Sequence, residues 1–157
     1  MKKSIVFLAG LFSGIILFAL VLSVVASKTM FSVNESKYDF AKTTEIITES
    51  VKTNNWSMPH QYNLQKTMEN HGFAVRPVVV FSICKPDIAV RILDNDNERH
   101  VSAMMPCRIA VYEKADGKTY VSRMNAGLFS KLLGGNATAI MGEAGNGSED
   151  ILKSVIK

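Results

Sequence analysis

The sequence predicts an α+β domain of two layers, an antiparallel sheet backed by helices, behind an N-terminal transmembrane helix. Three observations carry the domain. Val78-Val79-Val80-Phe81 is a run of strand formers bounded by turn residues. Cys107 to Glu113 alternates, with Cys107, Ile109 and Val111 on one side and Arg108, Ala110 and Tyr112 on the other; Ala115-Asp116-Gly117 then turns the chain back. Phe40, Thr44, Ile47 and Val51 recur at helical spacing.

The elements follow in order. Phe31 and Val33 alternate as a short first strand, and Ser36 or Asp39 can cap the helix that Phe40 opens. Asn54-Asn55 stops that helix. Trp56 and Met58 suggest a brief strand that Pro59 breaks, and Gln61 to Asn70 reads as a short helix closed by His71-Gly72. A strand within Phe73 to Cys84 comes next. Pro86 and Asp87 suit the first turn of another helix, with Ile88, Ala89, Ile92 and Leu93 as its apolar face. His100 to Met105 reads as extended, then comes the hairpin Cys107 to Arg123, and then a helix over Ala126 to Leu133. Residues 134–147 are glycine-rich and read as a soft segment, and Ser148 caps a last helix from Glu149 to Ile156. Leaving the shortest helix aside, the order is β-α-β-β-α-β-β-α. The division is an N-terminal segment 1–27, a connector 28–37 and a single domain 38–157.

Ile5 to Ala26 is uncharged and almost wholly apolar, and about 20 such residues suffice to cross a bilayer as a helix. Lys2 and Lys3 precede it, which places the short N-terminus in the cytoplasm and the domain outside, periplasmic in a double-membraned cell. Its length favours an uncleaved anchor, in contact with the membrane over residues 4–26. A signal peptide cut at Ala26–Ser27 is the competing reading. Gly10 and Gly14 stand at a helix-pairing spacing that alone says little.

The net charge is +4, but Lys2 and Lys3 supply two of those charges, leaving 16 basic against 14 acidic residues. Such a domain has no electrostatic footprint for nucleic acid. Phosphate-binding loop, dinucleotide-binding glycine set, nucleophile elbow and zinc-protease motif are all missing.

Cys84-Lys85-Pro86, Met105-Pro106-Cys107-Arg108-Ile109-Ala110-Val111-Tyr112-Glu113, Gly117-Lys118 and Val121-Ser122 resemble the family known as domain of unknown function 302. The resemblance spans Tyr38 to Leu133. It implies a compact α+β domain of the TATA-box-binding-protein-like kind, with homodimers among its members, and it implies no activity. It also implies a prokaryotic source, so the glycosylation-like triplets at Asn136 and Asn146 count as chance matches.

The candidate chemistry is sparse. Cys84 and Cys107 sit at strand ends, and an exported domain favours a structural disulfide between them or two buried thiols. The sharper reading is a thiol site for metal, haem or sulfur transfer. Lys85 and Arg108 would acidify the neighbouring thiols, and Met104, Met105 and His100 would complete a soft-metal ligand set. His60 and His71 are scattered and read as surface residues. Arg108 and Tyr112 share a strand face that could hold an anionic or aromatic ligand; a cross-strand contact of Tyr112 with Tyr120 competes with that. The function expected is a membrane-anchored extracytoplasmic binding or sensing module for a small ligand or metal, without a catalytic site and requiring no cofactor. The alternative is a redox, metal or sulfur-handling protein acting through Cys84 and Cys107.

Overall fold

The structure, a computed structural model, describes residues 2–157; the side chains of residues 2–6, 8, 9 and 26–28 lie outside that description. The inferences drawn from Lys2, Lys3 and the Ala26–Ser27 junction therefore lie outside the described side chains.

Helix α1 (Lys2–Thr29) leads into strand β1 (Phe31–Glu35), helix α2 (Phe40–Thr53), β2 (Ser57–Asn63), α3 (Leu64–Asn70), β3 (Val78–Cys84) and α4 (Pro86–Leu93). A 3₁₀ turn over Arg99–Met104 precedes β4 (Cys107–Glu113) and β5 (Thr119–Met124), and α5 (Ala126–Leu133) and α6 (Gly135–Leu152) complete the chain. The five strands form one antiparallel sheet in the order β1-β5-β4-β3-β2.

The transmembrane helix expected from the leading apolar run is corrected here. Among the described residues no helix is long and apolar enough to cross a membrane.

Residues that pair across strands share a face. Phe81, Ile83, Ile109, Val111 and Val121 face the helices and are fully buried. Against them pack Ile47 and Val51 of α2, Ile88 and Ile92 of α4, and Ala137, Ile140, Ala144, Ile151 and Leu152 of α6. Each Val, Ile, Leu or Phe among them contributes ~1.5–3 kcal/mol on burial, and the alanines less. The other face is open. One row of it runs Val33, Ser122, Ala110, Val80, Tyr62 across all five strands, and its end members Val33 and Tyr62 are exposed.

Local chemistry explains most boundaries. The Asp39 carboxylate accepts the Lys42 backbone N–H at 2.7 Å and opens α2. Asn55, at φ 57, turns the chain out of that helix. Strand β2 runs through Pro59 instead of ending there, because it lies at the sheet edge and carries a register irregularity between Ser57 and His60. Gln61 consequently belongs to the strand, and α3 starts only where Asn63 caps it.

Three further expectations change. The connector 28–37 contains β1, which pairs with β5 and belongs to the domain. His100 to Met104 lie in a 3₁₀ turn, and only Met105 is extended, leading from that turn into Pro106. The soft segment 134–147 and the short last helix are one 18-residue helix, α6. Its glycines are small because neighbours press on them. A Cβ on Gly145 would come within 2.3 Å of the Ala126 Cβ, and one on Gly147 within 2.8 Å of the Trp56 ring. The N-terminus of α6 is capped from a distance, with Glu98 Oε1 accepting the Asn136 and Ala137 N–H groups at 2.7 and 3.1 Å.

Gly145→Ala is expected to lower stability by ~1–3 kcal/mol in urea unfolding, although alanine is the better helix former by ~1 kcal/mol. Adding Ala126→Gly should recover most of the loss. A neutral or stabilising single substitution would show that α5 and α6 are not in this close contact.

Candidate functional site

The end of the sheet where β4 begins and β5 ends is not closed over. The 3₁₀ turn and Pro106 stand on one side of it, α5 on the other, and α6 beneath. Between them lies a cleft of about 480 Å³, within the range of small-molecule sites. Phe31, Met104, Met124, Phe129 and Leu133 give it an apolar lining, and Ser122, Ser130 and Ser148 add hydroxyls.

Two arginines reach the cleft and differ in state. Arg123 is buried and fully engaged. It donates from Nε to Glu149 Oε1 at 2.8 Å, from Nη2 to Glu149 Oε2 at 2.5 Å, and from Nη1 to Asn34 Oδ1 at 2.6 Å and the Ser32 carbonyl at 3.4 Å. Its charge is spent on tying α6 to β5 and β1. Arg108 is exposed on the open face and has no carboxylate within ion-pair distance among the described residues. It is the cation that the cleft offers.

Tyr112 does not join Arg108 at the cleft. It stands opposite Tyr120, the two rings stack at 6.0 Å between centroids, and Lys114 Nζ sits 3.7 Å over the Tyr120 ring. Burial raises the Tyr112 hydroxyl above its usual range.

Beside the cleft lies a narrow apolar crevice of about 20 Å³ between β3, α4 and α6. Cys84 and Cys107 both line it, along with Met105, Met141 and Lys85. Met105, Pro106, Cys107 and Met141 belong to both hollows and form the wall between them. The two cysteines are free and half-buried, so of the two expectations, a disulfide or a pair of buried thiols, the structure has unbonded thiols. Their register explains this: Cys107 pairs with Ile83 and Cys84 with Ser57, which sets the cysteines one residue out of step on neighbouring strands.

The acidified thiols expected beside Lys85 and Arg108 are likewise corrected. Burial raises the Cys84 thiol. Burial and then the neighbouring Cys84 raise Cys107, against a smaller lowering by a backbone hydrogen bond. Arg108 points to the face opposite Cys107, as alternate strand residues must. His100 is exposed on the 3₁₀ turn and lines neither hollow, so it leaves the proposed ligand set. His60 lies exposed on edge strand β2 against Tyr62, and His71 caps the end of α3. No imidazole therefore reaches the cleft hydroxyls.

Sequence reasoning missed Phe129, Arg123 and Met141. Met141 lies in the segment read as soft. Ala137, Ile140, Ala144 and Ile151, spaced by three, four and seven, were the signal for a helix there.

Because Cys107 keeps its proton above the ordinary value of 9.0, the unfolded chain releases that proton first as pH rises. The thiol's contribution to stability is whole below that value and is lost as pH climbs through the raised one. Urea unfolding at about pH 8 and about pH 10 should therefore show a fall in stability that is smaller in Cys107→Ser. An equal fall in both proteins would place Cys107 in water.

The family model described as domain of unknown function DUF302 matches residues 32–155. The match reaches past the Tyr38 to Leu133 stretch on both sides, to include β1 and α6. Among solved structures, the crystal structure of an uncharacterized conserved protein DUF302 from Bacillus stearothermophilus superposes with a TM-score of 0.71 at 18% identity. The superposition covers 80% of this chain and 97% of that one. At this identity the likeness concerns the fold. No curated protein matches the chain.

Proposed function

We propose that this chain, which belongs to the family of domain of unknown function DUF302, is a binding module holding a small amphipathic anion in the cleft at the open end of its sheet. One observation carries the reading: an apolar cleft of about 480 Å³ has a single unneutralised cation, Arg108, at its exposed rim. An aliphatic or aromatic body would displace water from Phe31, Met104, Met124 and Phe129, at about 25 cal/mol per Å² covered. An anionic head would meet the planar guanidinium, which suits a carboxylate or phosphate in bidentate contact.

The polarity pattern supports this over an uncharged ligand. Arg123 cannot serve a ligand without abandoning Glu149 and leaving its own buried guanidinium without a carboxylate. Arg108 loses nothing of the kind. Chemistry on the ligand finds no imidazole base here, which favours holding over turnover.

The test uses decanoate and decanol as competitors of the fluorescent probe 8-anilinonaphthalene-1-sulfonate. The probe should bind saturably to the native chain, and decanoate should displace it. Arg108→Ala should weaken decanoate by ~10-fold or more, the worth of one charged hydrogen bond of ~1.5 kcal/mol, and leave decanol unchanged. Unsaturable probe binding, or equal effects on acid and alcohol, would overturn the reading.

A further inference from the structure

We propose that the cleft selects an anion whose apolar body carries a second, uncharged polar group at its far end, a hydroxyl or a carbonyl, and that Ser130 of α5 is the residue that reads it. The inference rests on the anion reading of the cleft and goes further by naming the chemistry of the ligand's other end.

Ser130 is 5% exposed and lines the cleft, yet its hydroxyl has no hydrogen-bond partner among the described residues. A helical serine or threonine has an easy partner in the carbonyl one turn back, and Thr48, Thr53 and Thr67 each take it. Ser130 does not. Its oxygen lies against α6, where a Cβ added to Gly142 would come within 3.7 Å of it. Glycine leaves space there, and the α6 carbonyls are engaged within their own helix. Buried polar groups are paired as a rule, so an exception on the wall of a hollow marks a place for a ligand atom.

The other hydroxyls nearby are settled. Ser148 lines the same cleft but donates to the Gly145 carbonyl at 2.7 Å. Ser122 is half-buried on the sheet, within reach of water. Ser82 is unpaired too, but it is sealed in the protein and lines neither hollow, so a ligand in the cleft does not reach it. Among the described residues, Ser130 combines burial, a missing partner and a place on the cleft wall.

Water can serve this hydroxyl while the cleft is empty. A plain alkyl body would expel that water and seal the hydroxyl without a partner, which offsets part of what apolar contact contributes. A body with a hydroxyl or carbonyl at that depth replaces the water and keeps the bond. The serine hydroxyl donates or accepts, so either group fits. A second charge does not. Of the two arginines lining the cleft, Glu149 holds Arg123, and Arg108 stands at the rim for the head group. A carboxylate at the far end would be buried without a cation.

The experiment titrates the full chain with ω-hydroxy acids of hexanoate to dodecanoate length, each beside its parent acid and the matching α,ω-diacid, as competitors of 8-anilinonaphthalene-1-sulfonate. At one chain length the hydroxy acid should bind ~5-fold or more tighter than its parent, as one added hydrogen bond implies, and the diacid should show no such gain. In Ser130→Ala the ratio of hydroxy acid to parent should fall to about one. The parent acid should bind that variant at least as tightly as the wild type, since no hydroxyl is then sealed unpaired. Circular dichroism melts establish that the variant is folded. Parent acids that displace the probe while no hydroxy acid gains on its parent would overturn the inference and leave the anion reading standing. A gain that survives Ser130→Ala would overturn the role of Ser130. Parent acids that fail to displace the probe would remove both readings.

Discussion

The seating of α6 on the sheet depends on one ion pair, a buried Arg123 met by a half-exposed Glu149. Arg123 lies on the helix-facing side of β5, where a lone guanidinium would carry a heavy desolvation cost. Glu149 meets it with both oxygens, and Asn34 and the Ser32 carbonyl take the remaining donor. The pair does more than neutralise charge. It fixes the rotation of α6 about its own axis, so that Gly145 comes against α5, Gly147 against the Trp56 ring, and Met141 toward the sheet end. Packing alone would tolerate other rotations of so small-residue a helix. A bidentate pair is satisfied in one.

Both hollows are by-products of that arrangement. The 3₁₀ turn and Pro106 hold the chain away from the sheet just before β4, and α5 crosses on the far side. With α6 held in place from below, the space between cannot collapse. Met105, Cys107 and Met141 divide it into a wide compartment with a cation at its rim and a narrow one lined by sulfur. The two compartments differ in chemistry because β4 alternates: Cys107 turns inward and Arg108 outward from adjacent positions.

The sheet was largely legible in the sequence. Val78–Cys84 and Cys107–Glu113 are both dictated by alternation or β-branched runs, and Asp39 and Pro86 mark helix starts by local chemistry. The end of the chain was not legible, because Gly145 and Gly147 read as flexibility while their role is contact with Ala126 and Trp56. Strand β2 was underestimated because Pro59 is a breaker everywhere but at an edge. Of the site, Arg108 and the two cysteines could be singled out by type. The separation of Arg108 from Tyr112, and the inclusion of Met141, depend on register and on a helix that local propensity argues against. The apolar α1 run was read by composition alone, and composition overstated what the described side chains support.

The first strand is fastened to the last residues. Ser36 bridges Ile156, the Lys37 N–H reaches the Val155 carbonyl, and the Lys157 N–H reaches the carbonyl of Glu35 at 3.0 Å. Lys157 and Lys118 both pair with the Glu35 side chain. The contacts to the C-terminal residues join positions more than a hundred residues apart, and closing so long a loop is entropically expensive until most of the structure between is in place. The β1 edge of the sheet is thus closed by the far end of the chain, a non-local seam of the kind that makes a fold depend on its topology more than on helix propensity.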